Sequence, residues 1–236
     1  MKPYIITHMM QSVDGRIDCA MTEQIDPSNS YYDALDKLGC PSQLMGRVTM
    51  QMHYADPEPF VAADKTPIGR KALHVATRSE GYTIAMDTHG TLRWSDAEQD
   101  GRPLIVITCE VCPKEYLDYL TNRHISWIAV GSRRIDLKQA MDMLRKEFCV
   151  ERVAITGGGH INGAFLEAGL IDEVSVMIGP GIDGRKNMAA VFDGIENTNR
   201  PATLLWLESV EQVGAGTVWL RYTVALDGEK RHDKKI

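Results

Sequence analysis

The chain has 236 residues, of which 44% are hydrophobic and 25% charged, and its formal net charge is −6. This composition is typical of a globular protein that buries a sizeable core. The acidic balance disfavours binding to a nucleic-acid backbone, which normally contacts a basic face. The sequence shows neither a signal peptide nor an apolar run long enough to span a membrane. Five scattered cysteines do not resemble a disulfide framework, so we expect a cytoplasmic protein.

The first third of the chain alternates between strand-like and helix-like segments. An apolar, β-prone run opens the chain and ends in an Asp-Gly turn. Apolar residues at helical spacing then follow a pair of capping residues and stop at a glycine. The predicted elements are strand 4–10, turn 14–15, a helix from Ser28-Asn29 to Gly39, strand 43–45 and a helix that begins at Gly46. The proline-rich loop 55–70 is long enough to indicate a functional role.

Four βα-like units follow, and then a β-rich tail. Their strands are predicted at 72–77, 104–108, 126–130 and 152–156, with a further strand at 173–178. Two β-prone runs, 202–213 and 217–226, flank a Gly-Ala-Gly turn and predict an antiparallel hairpin. The pattern predicts an α/β fold with a mostly parallel sheet, helices on both faces and an antiparallel edge. We expect one domain, 1–226, and a charged, disordered tail, 227–236.

A glycine run, Gly157-Gly158-Gly159, lies between the predicted strand 152–156 and a helix. Glycines let a ligand approach the backbone, and the N–H groups and dipole of a helix N-terminus favour an anion. The spacing matches neither the dinucleotide-binding fingerprint nor the P-loop. Taken alone, the run is equally compatible with a phosphate cradle and with a tight turn.

Three motifs occur in the same order as in one enzyme family. They are Ser12-Val13-Asp14-Gly15-Arg16, Gly46-Arg47-Val48-Thr49, and the segment 156–174 with the Gly179-Pro180-Gly181 that follows it. With these motifs the chain resembles the riboflavin-biosynthesis pyrimidine reductases. These are the RibD C-terminal domain proteins, which are related in fold to dihydrofolate reductase. The resemblance spans about residues 2 to 226.

The resemblance implies a dihydrofolate-reductase-like three-layer sandwich that forms a homodimer and takes its hydride from NADPH, with NADH as the alternative. It implies a phosphoribosylamino-pyrimidine substrate, whose ribose opens to an imine and is reduced to a ribityl chain. The implied coenzyme-binding residues are Gly46, Thr49, Gly157, Gly158, Gly159, His160 and Ile161. The implied substrate-binding residues are Ser12, Asp14 and Asp56.

Two further assignments follow from position and charge. Asp14 is the predicted catalytic residue, because a carboxylate there would stabilise an iminium cation or relay a proton. The alternative for Asp14 is a plain turn residue. Arg78 and Ser79 follow the predicted strand 72–77, where a contact with the 2′-phosphate of NADPH is expected, so NADPH is favoured over NADH.

The chain departs from the family pattern at two places. Thr156 stands immediately before the glycines, where family members often carry Glu. The Asp56-Pro57 pair matches a family segment, but the next basic residues are only Lys65 and Arg70, so the partner of a substrate phosphate is open. The zinc deaminase signature is absent, and we expect a stand-alone reductase domain.

Other interpretations remain open. A nucleotide-binding module without catalysis would bind coenzyme but show no turnover. A dihydrofolate or pterin reductase would need an acid on the first helix, and Asp33 and Asp36 are the candidates. We interpret Cys109 and Cys112 as ordinary small residues, not as a redox pair or metal ligands, and no metal site is predicted.

Overall fold

An eleven-stranded sheet forms the centre of the protein in the computed structural model, which describes residues 1–225. The strands are β1 (Tyr4–Gln11), β2 (Ser42–Gly46), β3 (Ala72–His74), β4 (Thr83–Met86), β5 (Glu98–Gln99), β6 (Arg102–Thr108), β7 (Ser126–Ala129), β8 (Arg152–Ile155), β9 (Glu173–Ile178), β10 (Leu205–Val213) and β11 (Thr217–Val224). The helices are α1 (Cys19–Ile25), α2 (Ser30–Lys37), α3 (Arg47–His53), α4 (Lys114–Asn122), α5 (Leu137–Glu147) and α6 (Gly159–Glu167). The predicted tail, 227–236, lies outside the described residues.

The strand order is β10-β11-β9-β1-β8-β2-β4-β6-β7-β3, with β5 paired beside β6. The seven strands from β9 to β7 in this order are parallel to one another. The hairpin of β10 and β11 continues the sheet antiparallel to β9. The prediction of a mostly parallel sheet with a C-terminal antiparallel hairpin is therefore confirmed.

Helices cover both faces of the sheet because neighbouring strand residues point to opposite sides. Ile5 belongs to the core cluster beneath α5 and α6, whereas Ile6 belongs to the cluster beneath α2. Met45 packs with α3 and α4 in a third cluster, on the same face of the sheet as α2. Parallel strands place all their carboxyl ends at one edge of the sheet, where α/β proteins bind ligands.

The prediction for residues 72–77 is wrong in direction and length. The strand there is β3, which has three residues and pairs antiparallel with β7 at the outer edge. The parallel strand of this region is β4, at 83–86, which the sequence analysis missed. All four residues of β4 are buried, so it lacks the alternation that marks a strand with one solvent-facing side.

The long loop 55–70 is fixed to the body of the protein. Phe60 packs against α4, with ring centroids 4.7 Å from Tyr119 and 5.1 Å from Tyr116. The backbone N–H of Asp64 donates a hydrogen bond to Glu115, also on α4. The loop thus covers the α4 face. None of the helices within residues 1–225 is long and apolar enough to cross a membrane.

Candidate active site

The glycine run lies at the carboxyl edge of the sheet, between the ends of β8 and β2. Gly157 has φ +136°, a conformation that favours glycine, and its peptide bond to Gly158 is cis. Its carbonyl accepts a hydrogen bond of 2.8 Å from the backbone N–H of Gly46. Gly158 is the N-cap of α6. The first N–H groups of α6 therefore begin at this edge, an arrangement that favours anions.

The three glycines have different surroundings. A Cβ built on Gly157 or Gly158 would lie 3.3 or 3.6 Å from the Thr49 hydroxyl and would meet no backbone. A Cβ on Gly159 would lie 2.1 Å from the carbonyl oxygen of Ala190. Gly157 and Gly158 therefore bring backbone without a side chain next to Thr49. Glycine is needed at Gly159 for packing, because the segment that contains Ala190 lies directly against it.

The next two residues of α6 have contrasting surroundings. His160 is exposed on the first turn of the helix, beside Gly194. Ile161 packs against the core of the α5 and α6 face and lies close to Gly46. Ile161 thus holds α6 against the end of β2, while His160 is accessible to a ligand.

The turn after β1 is organised around the carboxylate of Asp14. The Ser12 hydroxyl donates to it at 2.6 Å, and the backbone N–H groups of Asp183 and Gly184 donate at 2.9 Å each. These hydrogen bonds hold the pKa of Asp14 well below its ordinary value. Asp14 is therefore an anion near neutral pH. Its charge suits stabilisation of a cation better than donation of a proton.

The structure does not bring Arg78 and Ser79 to the glycine run. Because β3 is antiparallel, the chain after it returns to the amino edge of the parallel strands, where β4 starts. The two edges are separated by the length of β2, about 13 Å. Arg78 instead donates a hydrogen bond of 2.6 Å to the carbonyl of Glu147, at the end of α5. The expected contact of Arg78 and Ser79 with the coenzyme assumed a parallel strand at 72–77, and that assumption is wrong.

Arg47 is a cation at the correct edge that the sequence analysis did not single out. It is the first residue of α3, between Gly46 and Thr49 in sequence, and it is exposed. Among residues 1–225 no carboxylate lies within ion-pair distance of it. A basic residue inside the Gly-x-x-Thr segment was the available signal.

Asp56 is engaged within the protein. Its carboxylate accepts a hydrogen bond from the Ser95 hydroxyl and lies 3.5 Å from Nε of Arg93. Its backbone N–H donates to the carbonyl of Arg93. These contacts join the start of the loop 55–70 to the segment after β4. Asp56 therefore has a structural role that requires no substrate.

The remaining sequence candidates divide by burial. Cys109 and Cys112 are fully buried, and burial raises the pKa of Cys112 to about 12, which is unlike a reactive thiol. Asp33 and Asp36 are exposed on α2, and Asp36 lines an open cavity with Ser79 and Arg102 at the amino edge of the parallel strands, away from the glycine run. Thr156 directly follows β8, and its buried hydroxyl has no hydrogen-bond partner among the described residues.

Solved structures share this architecture. A pyrimidine reductase-like protein from Corynebacterium diphtheriae has a TM-score of 0.71 at 19% identity, with 95% of this chain and 93% of that chain covered. RibD from Acinetobacter baumannii has a TM-score of 0.70 at 19% identity, with 95% of this chain and 58% of that chain covered. The yeast riboflavin biosynthesis reductase Rib7 has a TM-score of 0.62 at 17% identity, covering 95% and 90%. The fold is that of the dihydrofolate-reductase-like reductases, as predicted.

Residues 3–219 match the model of the RibD C-terminal domain, and the chain belongs to that family. A relative from Methanothermobacter thermautotrophicus is 26% identical over 211 residues, covering 88% of this chain and 91% of the relative. One from Archaeoglobus fulgidus is 21% identical over 220 residues, covering 92% and 96%. Both are 2,5-diamino-6-ribosylamino-4(3H)-pyrimidinone 5′-phosphate reductases. The predictions of the family and of an oxidoreductase are confirmed.

Proposed function

We propose that the chain is an NADPH-dependent reductase of a ribosylamino-pyrimidine 5′-phosphate. Two relatives that match most of the chain are named for such a reaction. The observation that carries the proposal is the backbone of Gly157 and Gly158, which has no side chain beside Thr49 and lies at the N-terminus of α6. This combination favours a phosphate group at the edge of the sheet where the family motifs meet.

The residues at this edge fit the diphosphate of a nicotinamide coenzyme. We assign its direct contacts to Gly46, Thr49, Gly157 and Gly158, with His160 beside them. Gly159 and Ile161 support the site by fixing the position of α6. Bound NADPH supplies the hydride, while the protein supplies binding, orientation and charge.

Arg47 replaces Arg78 and Ser79 in the proposed coenzyme site. Arg47 is exposed at the start of α3, two positions before Thr49 and at the same edge as the glycines. Arginine binds phosphate through several N–H donors. We assign the 2′-phosphate of NADPH to Arg47, and we therefore expect NADPH to bind more tightly than NADH.

On the substrate side we retain Ser12 and Asp14. The Asp14 carboxylate stays charged and accepts three hydrogen bonds, which leaves one of its lone-pair positions free. An anion there favours a substrate that becomes cationic as its imine is protonated. We leave Asp56 out, because Arg93 and Ser95 already hold its carboxylate.

The test is binding and turnover with the substrate named for the relatives. NADPH should raise the melting temperature, because a ligand that binds only the folded state stabilises it. NADPH absorbance should then fall when 2,5-diamino-6-ribosylamino-4(3H)-pyrimidinone 5′-phosphate is added. The absence of a thermal shift with NADPH and with NADH would contradict the coenzyme site. Binding without turnover on any ribosylamino-pyrimidine would favour a module without catalysis.

Gly158 offers a matched pair of variants for this test. Its φ is −98°, and a Cβ there would meet only the Thr49 hydroxyl, at 3.6 Å. Gly158→Asp should abolish the thermal shift with NADPH, because a carboxylate would face the phosphates. Gly158→Ala should retain most of it. Equal shifts in both variants would place the phosphates elsewhere.

We also propose a cytoplasmic homodimer with one domain at 1–226. All five cysteines are free, which is usual in a reducing compartment. β10 is the outermost strand, and Leu204, Leu207 and Val210 beside and within it are 64%, 51% and 56% exposed. The segment after residue 225 is rich in charged residues and is poorly suited to cover an apolar strand. We therefore assign the exposed face of β10 to contact with a second copy of the chain.

A further inference from the structure

A segment after β9 joins the two sides of the proposed site. This segment, residues 181–193, is called the strap; it contains no helix or strand of the sheet. One end lies against the turn 12–17 on the substrate side. The other end lies against the first turns of α6 on the coenzyme side. The strap therefore crosses the carboxyl edge from one proposed ligand to the other.

The substrate-side end is held by side chains and backbone. The Asp14 carboxylate accepts hydrogen bonds from the N–H groups of Asp183 and Gly184, at 2.9 Å each. Nη1 of Arg16 donates to the carbonyl of Met188 at 2.9 Å. Backbone hydrogen bonds also join Val13 to Gly181 and Ile17 to Ala189. The turn and the strap are thus paired over most of their length.

The coenzyme-side end is held by Asn162, which is fully buried in α6. Its Nδ2 donates a hydrogen bond of 2.7 Å to the carbonyl of Val191. Its Oδ1 is buried without a partner among the described residues. A buried amide oxygen without a partner costs stability, and an apolar residue would avoid that cost. The side chain is therefore best explained by its contact with the strap.

The strap also reaches the glycine run directly. The backbone N–H of Asp193 donates to the carbonyl of Gly159 at 3.0 Å. The carbonyl of Ala190 occupies the space that a side chain of Gly159 would need. Any ligand that orders the first turn of α6 thus orders residues in contact with the strap.

We propose that the strap couples the two halves of the site, with Asp14 and Asn162 as the positioning residues at its ends. The inference rests on the proposed function, because NADPH is the ligand expected at α6. Coenzyme bound at the glycine run orders the strap, and the strap then orders the turn 12–17 before substrate arrives. Such coupling makes the two ligands bind with positive cooperativity.

Amide hydrogen exchange with and without NADPH tests the coupling. In the unaltered protein NADPH should slow exchange at 157–161, by direct contact, and also at 13–17, through the strap. Asp14→Asn should keep the first effect and lose the second, because an amide presents a donor to one of the two strap N–H groups. Asp14 is exposed, so this variant should fold.

Asn162→Ala should uncouple the segments from the other end, and its melting temperature reports whether it folds. Asp118→Asn is the matched control, since Asp118 is exposed on α4 and far from the strap in the fold. The control should respond at both segments. Protection at 157–161 alone in the unaltered protein, or equal protection of 13–17 in the Asp14 variant, would overturn the coupling. No protection at either segment would instead refute the coenzyme site, and the coupling with it.

Discussion

His8 is fully buried in β1, and both of its ring nitrogens are hydrogen-bonded. Nε2 lies 3.1 Å from the carbonyl of Tyr31, an acceptor, so Nε2 carries the proton. Nδ1 therefore accepts from the Ser175 hydroxyl at 2.8 Å, and that hydroxyl accepts from Nε1 of Trp219 at 2.7 Å. The chain of hydrogen bonds fixes a neutral imidazole and links β11, β9 and β1 to α2.

Stability should fall when His8 is protonated. Burial lowers the pKa of His8 from 6.5 to about 4, although its hydrogen bond to Tyr31 acts in the opposite direction. The unfolded chain therefore binds the proton first as the pH falls. The free energy of unfolding should drop by about 2 kcal/mol between pH 7 and pH 5, and level off below about pH 4. Urea unfolding at each pH measures it.

His8→Gln provides the control for this prediction, because glutamine does not titrate. The variant should be less stable at pH 7 but should lack His8's share of the pH dependence. An identical fall in the variant and in the unaltered protein would assign the pH dependence to other groups.

The proposed site predicts that replacing Arg47 changes coenzyme preference and that replacing Arg78 does not. Arg47→Ala should weaken NADPH binding by about tenfold or more, because a hydrogen bond to a charged group contributes about 1.5–3 kcal/mol. NADH, which lacks the 2′-phosphate, should be affected much less. Arg78→Ala, at the opposite edge, should change neither. Calorimetric titration with both coenzymes measures the effects, and a selective loss of NADPH in Arg78→Ala would reverse the assignment.

At the scale of residues, the motifs predicted which turns form the site but not what each residue does there. The glycine run was identified correctly as a βα turn. The separate role of Gly159 depends on Ala190, which lies 31 positions further along the chain. Asn162 was missed because its partner is a backbone carbonyl of the strap, and local sequence does not encode such a contact.

At the scale of elements, the fit of the strap onto α6 predicts a strict requirement for glycine. A Cβ on Gly163 would lie 2.0 Å from the carbonyl oxygen of Asp193. Gly163→Ala should therefore destabilise the protein by about 1–3 kcal/mol or more through overpacking. Thermal or urea unfolding measures the loss. Gly46→Ala is the control, because its Cβ would meet Ile161 at an ordinary 3.5 Å. Equal stability of both variants would contradict the tight packing.

Most helices and strands could be predicted, because their amphipathic spacing and caps are local. Asp136 caps α5 as predicted, accepting from the backbone N–H of Gln139 at 3.0 Å. The direction of β3 could not be predicted, since it depends on pairing with β7, more than fifty residues later in the chain. That single error moved Arg78 to the wrong edge of the sheet.

At the scale of the whole molecule, the apolar residues exposed on the outer strand β10 predict a homodimer. Leu207 and Val210 lie on one face of the hairpin, opposite Tyr222 and Leu220. Two lysines there should disrupt an apolar contact between copies. The double variant Leu207→Lys with Val210→Lys should be a monomer by sedimentation equilibrium, whereas the unaltered chain should be a dimer. Val61→Lys, at a residue that is 77% exposed elsewhere, should remain a dimer. A monomeric unaltered chain would contradict the proposal.

The two margins of the sheet differ in a way that limits how far such association proceeds. β10 offers nine residues, whereas β3 at the other margin has three and follows the exposed charges Arg70 and Lys71. Short, charged margins resist further strand addition. Two copies joined through β10 about a twofold axis would turn only β3 outward. Association would then stop at a dimer. Two outer strands that could both pair would instead permit an open-ended polymer.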